Sequence, residues 1–134
     1  PQLRPDKSDS CLIRLKGGLE IQIELNQKFG QLMICSDLGY IGPGRYREDV
    51  FQEALKSNGL PAPRWGDFIF NETAGHLLLF HSLPQKDLTG EKIADFLSSF
   101  TEKAFYWRDA LLHNDIPQVS DMRTARPLGM FGLR

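Results

Sequence analysis

The fold is decided by residues 75–83, which read GHLLLFHSL. Four apolar residues, Leu77 to Phe80, follow one another there without a polar break. Because side chains alternate between the two faces of a strand, such a run is apolar on both faces. The stretch therefore predicts a central strand with a helix on one face. What covers the other face is a question about function.

The helix follows directly, because residues 89–113 have the pattern of a long amphipathic helix. Thr89 is a suitable N-cap, and Glu91 lies near the positive end of the helix dipole. The apolar residues recur at steps of three or four, which places them on one side of a helix. They are Ile93, Leu97, Phe100, Ala104, Trp107 and Leu111.

Three short runs near the N-terminus predict an antiparallel meander. Residues 11–16 and 19–25 alternate between apolar and polar side chains, and Gly17-Gly18 between them is typical of a two-residue hairpin loop. Residues 29–35 form the third predicted strand. We interpret residues 36–44, which contain four glycine or proline residues, as a loop.

The remaining elements are a helix over residues 45–58, a strand over 65–70 and the central strand over 76–83. The predicted order is βββ–α–ββ–α, and helices grouped on one face of a five-stranded antiparallel sheet make the fold α+β. Helical periodicity ends near Asn114. We therefore expect a single domain over residues 1–113 and a C-terminal extension over 114–134, with an apolar end at 128–133.

Length and composition are those of an ordinary soluble domain. The 134 residues correspond to one domain, since domains usually have about 100–200 residues. Hydrophobic residues make up 41% and charged residues 25%, and a net charge of −1 gives no attraction to nucleic acid or to an anionic membrane surface. No apolar run approaches the roughly 20 residues that span a bilayer.

The N-terminus and the cysteines point to a cytoplasmic protein. The polar start PQLRPDKSDS lacks the apolar core of a secretory signal peptide. Since the initiator Met is missing, we expect that upstream residues have been removed. Cys11 and Cys35 both lie in strand-like runs, and we favour buried free thiols in a reducing compartment over a disulfide between neighbouring strands.

Residues that could carry out chemistry are few and scattered. The glycine-containing loop 39–44 lacks the Gly-Lys-Ser/Thr ending of a P-loop, so we interpret it as a structural turn. His76 and His81 would point to opposite faces of one strand and could not share a metal. Glu20 and Glu24 lie on one face that we interpret as solvated, which argues against an acid–base pair. The sequence predicts no enzyme, no cofactor and no metal site.

Apolar residues on elements with incomplete cover are the more informative feature. Phe68, Ile69 and Phe70 are consecutive, so one face of their short strand needs a partner. The apolar residues of helix 45–58 spread beyond one narrow stripe. Each of these residues alone fits a core position. Together they predict a chain that pairs with itself or with another protein.

The order of elements and the local sequence resemble a known family. A strand pair CLIRL…LEIQIEL leads into FGQLMICSDLGYI, and a helix, the hairpin WGDFIFNETAGHLLLFHSL and the helix EKIADFLSSFTEKAFYWRDAL follow. This pattern, over about residues 11–113, resembles the class I type III secretion chaperones, the SycE-like and Tir chaperone proteins.

The resemblance implies a function that periodicity alone did not show. Such chaperones are small cytoplasmic homodimers of Gram-negative bacteria, and they bind the N-terminal segment of a cognate secreted effector, keep it unfolded and help to deliver it to the secretion ATPase. They use no ATP or other cofactor and insert into no membrane. The effector segment is extended, places apolar side chains in grooves, and in some complexes adds a strand to the sheet edge.

The resemblance also implies two sets of site residues. The dimer contact would fall on Tyr46, Val50, Phe51, Ala54, Leu55, Trp65, Phe68 and Phe70. The effector groove would draw on Leu12, Arg14, Leu32, Ile34 and Phe105. The family normally begins with an amphipathic helix before the first strand, whereas only ten residues precede Cys11 here.

Two other readings remain open at this point. A module of the same fold could bind folded protein partners and would be indifferent to unfolded segments. A small-molecule enzyme or ligand-binding protein would instead require a concave pocket with convergent polar groups, which we would expect near residues 39–44.

Overall fold

The computed structural model, which describes residues 10–61 and 64–119, confirms an α+β fold with a five-stranded antiparallel sheet. In chain order its elements are β1 (Ser10–Arg14), β2 (Glu20–Asn26), β3 (Gln31–Tyr40), α1 (Arg45–Asn58), β4 (Asp67–Asn71), β5 (His76–Pro84) and α2 (Gly90–Leu112). A short 3-10 turn, Lys16–Gly18, joins β1 to β2.

The sheet has the strand order β1-β2-β3-β5-β4, so β1 and β4 are its edges. The apolar stretch that predicts a central strand is β5, which pairs with β3 on one side and β4 on the other. Ile13 lies opposite Ile21, Ile34 opposite His81, and Phe68 opposite Leu79. These residues share one side of the sheet, which we call the covered face.

Both helices pack on the covered face. The Phe68 and Trp107 rings have centroids 4.0 Å apart, and Phe96 lies 4.5 Å from the His81 ring. Trp107 and Phe100 on α2 are fully buried, as is Val50 on α1. Thr89 caps α2 as predicted, because its hydroxyl oxygen accepts a hydrogen bond from the Lys92 N–H at 3.1 Å. The long helix therefore forms the main cover of the sheet.

The opposite side of the sheet, which we call the open face, carries the alternate residues of each strand. Its apolar residues are Leu12, Met33, Cys35, Ile69, Leu78 and Phe80. Ile69 is 47% exposed, and the other five are partly buried. Within residues 10–61 and 64–119, no helix packs on this face.

Three strand boundaries differ from the predictions because of backbone conformation at particular residues. β3 continues to Tyr40 instead of ending at the predicted residue 35, and the register shift between Asp37 and Gly39 keeps this glycine within the strand. β4 begins at Asp67, because Gly66 has a φ of +128° and interrupts the extended chain. The first hairpin loop has three residues, Lys16–Gly18, since the Leu15 N–H donates to the Leu19 carbonyl at 2.9 Å.

The chain after α2 folds back onto both helices. The Tyr46 hydroxyl donates to the Asp115 carbonyl at 2.8 Å, and the Val119 N–H donates to Glu53 Oε1 at 3.1 Å. Pro117 and Val119 are buried. The folded part of the chain therefore reaches at least Val119. The division at residue 113 stays a prediction, and the apolar end at 128–133 lies outside the described residues.

Both cysteines are free thiols, as expected, but the prediction that they are buried is wrong, because both are partly exposed. They lie on opposite faces, because Cys11 pairs with Ile23 on the covered face and Cys35 with Gln22 on the open face. Burial raises the pKa of the Cys35 thiol. Their placement on opposite faces removes the alternative of a disulfide between them.

Candidate binding surfaces

An apolar groove of about 480 Å³ lies on the covered face between β1–β2 and α2. We call it the β1–α2 groove. One wall comes from Ile13, Leu15 and Ile21, and the other from Leu97, Thr101 and Phe105 with Ser98 and Glu102. Phe105 is 37% exposed, so the groove has an apolar side chain that solvent and a partner can reach.

Arg108 fixes the position of one end of the groove. Its Nη1 donates to the Gly17 carbonyl at 2.6 Å and so ties the β1–β2 hairpin to α2. The hairpin approaches closely, because a Cβ added to Gly18 would lie 3.1 Å from the Arg108 Nη2 atom. Gly17 and Gly18 also have positive φ angles of +84° and +88°, which glycine adopts without strain. The two glycines therefore hold the wall of the groove in place.

Within the part of the chain that the structure describes, the β1 edge beside this groove has no partner strand other than β2. Hydrogen-bonded and non-bonded pairs alternate along an antiparallel ladder. Since Leu15 is bonded to Leu19, the backbone groups of Leu12 and Arg14 point away from β2. Among the described residues, none pairs with them. The Arg14 side chain makes an exposed ion pair, with Nε 2.9 Å from Glu20 Oε2.

A second apolar surface lies where α1 meets β4, and we call it the α1–β4 surface. The Phe51 and Phe70 rings have centroids 4.8 Å apart, and the Arg47 guanidinium lies 4.8 Å from the centre of the Phe70 ring. Leu55 is 70% exposed. A small cleft of about 180 Å³ between these side chains is bordered by Asn58. An exposed leucine among aromatic rings is typical of a protein–protein contact.

The β4 edge differs from the β1 edge because side chains occupy its backbone groups. The Phe68 N–H donates to Asn58 Oδ1 at 2.8 Å, and Asn58 Nδ2 donates to the Phe68 carbonyl at 3.0 Å. One residue before the strand, the Gly66 carbonyl accepts a hydrogen bond from Lys103 Nζ at 2.9 Å. Lys103 is buried, and burial lowers its pKa to about 8.

The predicted dimer residues separate into exposed and buried groups. Phe51, Leu55 and Phe70 border the cleft of the α1–β4 surface. Ala54 and Phe68 border it too, but they and Val50 are no more than 7% exposed. Tyr46 is bonded to the Asp115 carbonyl, and Trp65 packs on Phe96 of α2 with ring centroids 5.9 Å apart. The role of the set in dimerisation stays a prediction.

The predicted effector residues do not line one groove. Phe105 lines the β1–α2 groove, but Leu12 and Arg14 lie on the open face. Leu32 and Ile34 share the covered face, and Ile34 is fully buried, so a partner cannot reach it in this arrangement. Successive side chains of a strand point to opposite faces of the sheet, so a set taken from neighbouring strands includes residues of both faces.

Four further groove residues, beyond the predicted set, are marked by the periodicity of the sequence. Ile13 and Leu15 lie on one side of an alternating run. Leu97 and Thr101 precede Phe105 by eight and four residues, which places all three on one side of a helix. The spacing placed the two walls separately. That they face each other follows only from the packing of α2.

A metal site and a membrane-spanning helix are both absent from residues 10–61 and 64–119. No group of three His, Cys, Asp or Glu side chains there is arranged to hold a metal ion. No helix there is long and apolar enough to cross a membrane. His76 Nδ1 lies 2.8 Å from Asp37 Oδ1, and burial lowers the pKa of His81.

The comparison with protein families identifies the chain. The Tir chaperone protein (CesT) family matches residues 1–108, which is most of the sequence. The chain belongs to the Tir chaperone family. This confirms the resemblance to type III secretion chaperones found in the sequence. No curated protein sequence is a significant match to this Tir chaperone family member.

Solved structures with the same fold include several chaperones. The chaperone–effector complex of HopA1 and SchA contains a chain with a TM-score of 0.64 and 14% identity, with 82% of this chain and 83% of that chain covered. The structure of the Yersinia pestis type III secretion chaperone SycH with a fragment of YscM2 matches with a TM-score of 0.57 and 16% identity. The match covers 78% of this chain and 85% of that chain. The ExoU–SpcU heterodimer of the Pseudomonas aeruginosa type III secretion system matches with a TM-score of 0.60 and 15% identity. The match covers 80% of this chain and 88% of that chain. At these identities the likeness establishes the fold.

Proposed function

We propose that this protein is a type III secretion chaperone of the bacterial cytoplasm. It binds the N-terminal segment of a secreted effector as a homodimer, keeps that segment unfolded and soluble, and presents it to the secretion apparatus. The observation that supports this best is the β1–α2 groove beside the open β1 edge. Family membership and the chaperone–effector complexes of the same fold support the same function.

An extended segment fits this arrangement in two ways at once. Its backbone can pair with the outward groups of Leu12 and Arg14, as in strand addition to a sheet edge. Because side chains alternate along a strand, every second residue of the segment then lies on the covered face beside Ile13 and Leu15, in the groove. The binding segment should therefore carry apolar residues at alternate positions.

The energetics allow tight binding without a folded cargo. Each buried aliphatic side chain contributes about 1.5–3 kcal/mol. Ordering a disordered segment costs about 2–5 kcal/mol or more. Two or three anchors in the groove offset that cost, and backbone pairing along β1 adds to the affinity without depending on the sequence of the segment.

The homodimer is assigned to the α1–β4 surface. The exposed side chain of Leu55 lies there beside the partly exposed Phe51 and Phe70, well separated in the sheet order from the β1 edge. With this arrangement, dimerisation and segment binding use different surfaces, and a dimer offers two grooves. Delivery to the secretion ATPase is carried over from the family resemblance alone.

The first experiment is to recover the cargo. The chain is tagged and purified from the native host, and the proteins that accompany it are identified by mass spectrometry. We expect secretion substrates whose isolated N-terminal segments retain binding. Recovery of folded cytoplasmic proteins only, with no binding to isolated segments, would favour the alternative of a same-fold module for folded partners.

A variant of Phe105 then locates the binding site. Phe105→Asp places a charge in the groove and should weaken binding of the recovered segment at least tenfold, since one aromatic anchor is lost and a carboxylate must be desolvated. The affinity is measured by isothermal titration calorimetry. Leu112→Asp is the matched control, because Leu112 is 65% exposed on the same helix and outside the groove. Equal effects of the two variants would contradict the assignment of the groove.

A variant of Leu55 tests the dimer surface. Leu55→Asp should raise the dimer dissociation constant at least tenfold, because a charge replaces an apolar contact at the centre of the α1–β4 surface. Sedimentation velocity over a range of concentrations measures this constant. Leu112→Asp makes the same replacement at an exposed leucine of α2 outside the α1–β4 surface, and it should leave the dimer unchanged. A wild-type sedimentation profile for Leu55→Asp would rule out this surface.

A further inference from the structure

We propose that Asn58 closes the β4 edge, so that a second copy of this chain cannot extend the sheet there. β4 is an edge strand, and an edge strand offers unpaired N–H and C=O groups to any other extended chain. The side chain of Asn58 occupies both outward groups of Phe68, its N–H and its carbonyl. The inference rests on the fold and does not depend on effector binding.

The Asn58 side chain makes the two hydrogen bonds that a neighbouring strand would make to Phe68. A carboxamide has an acceptor oxygen and a donor NH₂ group, which are the two functions that a neighbouring peptide would offer to Phe68. The distances of 2.8 Å and 3.0 Å are those of good backbone hydrogen bonds. A new strand would have to displace both bonds before it could pair at Phe68.

The outward direction of the Phe68 groups follows from the register. Asp67 lies opposite Phe80, Phe68 opposite Leu79, and Ile69 opposite Leu78. Bonded and non-bonded pairs alternate, and Phe68 bonds to Asn58 with both of its backbone groups. Asp67 and Ile69 are therefore the residues that bond to β5. Phe68 and Phe70 are the two positions at which another strand could bond.

Asn58 is held in place from both sides. It is the last residue of α1, and the Gly59 N–H donates to the Leu55 carbonyl at 3.1 Å to end the helix. After the turn, Arg64 Nη1 donates to the Leu60 carbonyl at 2.8 Å, and Arg64 Nε donates to Asp67 Oδ1 at 2.9 Å. The end of α1 and the start of β4 are thus held by polar contacts on either side of Asn58, which keep its backbone close to Phe68.

The rest of the edge gives a second strand little to bond. The Gly66 carbonyl is occupied by Lys103 Nζ, and the Arg47 guanidinium lies over the ring of Phe70. With Phe68 closed, only Phe70 remains, and one residue is too short a ladder to hold two sheets together. A dimer on the α1–β4 surface therefore forms through side chains and not through a continuous sheet.

The test replaces Asn58 by alanine in the full chain. Backbone amide exchange is followed by NMR and self-association by sedimentation velocity, each over the same range of protein concentration as for the wild type. At low concentration we expect the Phe68 amide to exchange at least tenfold faster than in the wild type. At high concentration the Phe68 and Phe70 amides should become protected together, with species larger than those of the wild type.

Gln52→Ala is the matched control, since it shortens an exposed polar side chain of the same helix. It should change neither measurement. An unchanged Phe68 exchange rate in Asn58→Ala would show that Asn58 is not the cap. Faster exchange with the self-association of the wild type at every concentration would show that the open edge does not pair, and it would overturn the proposal.

A second variant covers the case in which Asn58→Ala does not fold. Asn58→Asp keeps the acceptor for the Phe68 N–H and removes the donor to the Phe68 carbonyl. The Phe70 amide of this variant should show the same concentration-dependent protection from exchange. If that protection is absent, the proposal is overturned in the same way. Both variants keep the β1–α2 groove intact, so loss of effector-segment binding would concern the proposed function and not this inference.

Discussion

The two edges of the sheet, β1 and β4, have similar strands and opposite availability. β1 leaves the backbone groups of Leu12 and Arg14 free of partners among the described residues, next to an apolar groove. β4 has its Phe68 groups bonded to Asn58 and lies beside α1. The difference shows that side chains from other elements decide whether an edge strand can take a partner. We expect one edge to recruit extended chains and the other to exclude them.

The largest effect should come from Gly66→Ala at the start of β4. A Cβ there would lie 2.9 Å from the Leu79 side chain and 3.2 Å from Phe100, and the φ of +128° disfavours any other residue. Overpacking and backbone strain each cost about 1–3 kcal/mol, so the free energy of unfolding should fall by roughly 2–6 kcal/mol. Urea unfolding followed by circular dichroism measures it.

Gly90→Ala is the matched glycine variant. Gly90 is the first residue of α2 and has no atom within 4 Å of an added Cβ, so its replacement should be neutral or stabilising by up to about 1 kcal/mol. Equal stability of the two variants would mean that the start of β4 is not tightly built, and the contrast between the edges would lose its basis.

An intermediate effect should come from Lys103, which bonds to the carbonyl before β4. Burial lowers its pKa from 10.5 to about 8 in the folded protein. Between these two values the unfolded chain binds more protons, so wild-type stability rises with pH there, and below about pH 8 the full cost of the buried charge is present. Relative to Lys103→Met, the wild type should therefore gain up to about 3 kcal/mol between pH 8 and 10.5.

Denaturant unfolding at a series of pH values checks this prediction. Ser98→Ala on the same helix leaves Lys103 in place and should follow the wild-type curve. A constant difference between the wild type and Lys103→Met over this range would indicate that the ammonium is solvated, and that the β4 region opens more readily than its packing indicates.

The smallest effect should come from Arg14→Ala on β1. Its ion pair with Glu20 joins side chains that are 72% and 49% exposed, and such pairs contribute about 0–1 kcal/mol. We expect a loss below about 0.5 kcal/mol in thermal unfolding. Asn58→Ala, which removes the two hydrogen bonds to the Phe68 backbone, should cost about 1–3 kcal/mol. Similar costs for the two variants would remove the energetic difference between the edges.

Patterns within single elements were enough to predict most of the fold. α1 coincides with the predicted residues 45–58, the Thr89 cap of α2 is confirmed, and the apolar run in β5 indeed lies inside the sheet. These features depend on neighbours in sequence. The extension of β3 to Tyr40 was missed because a bulge lets Gly39 remain in a strand, and composition alone marks such a residue as loop.

The binding surfaces were predictable only in part, because they join distant elements. The exposure of Leu55 and Phe105 is consistent with the predicted roles, but burial removes Ile34 from any surface. The sequence carries no signal for the role that we propose for Asn58, since Asn and Gly are both common at the end of a helix. Its partner Phe68 lies ten residues further on, beyond a turn whose path the composition did not define.

The burial of Lys103 also makes it a chemical reporter. An acylating reagent must reach the amine nitrogen of a lysine before it can modify it. In the folded chain, however, Lys103 is enclosed between α2 and the residues before β4. Its rate of modification therefore measures how often this part of the chaperone opens, and it can be followed in a mixture without purifying the protein.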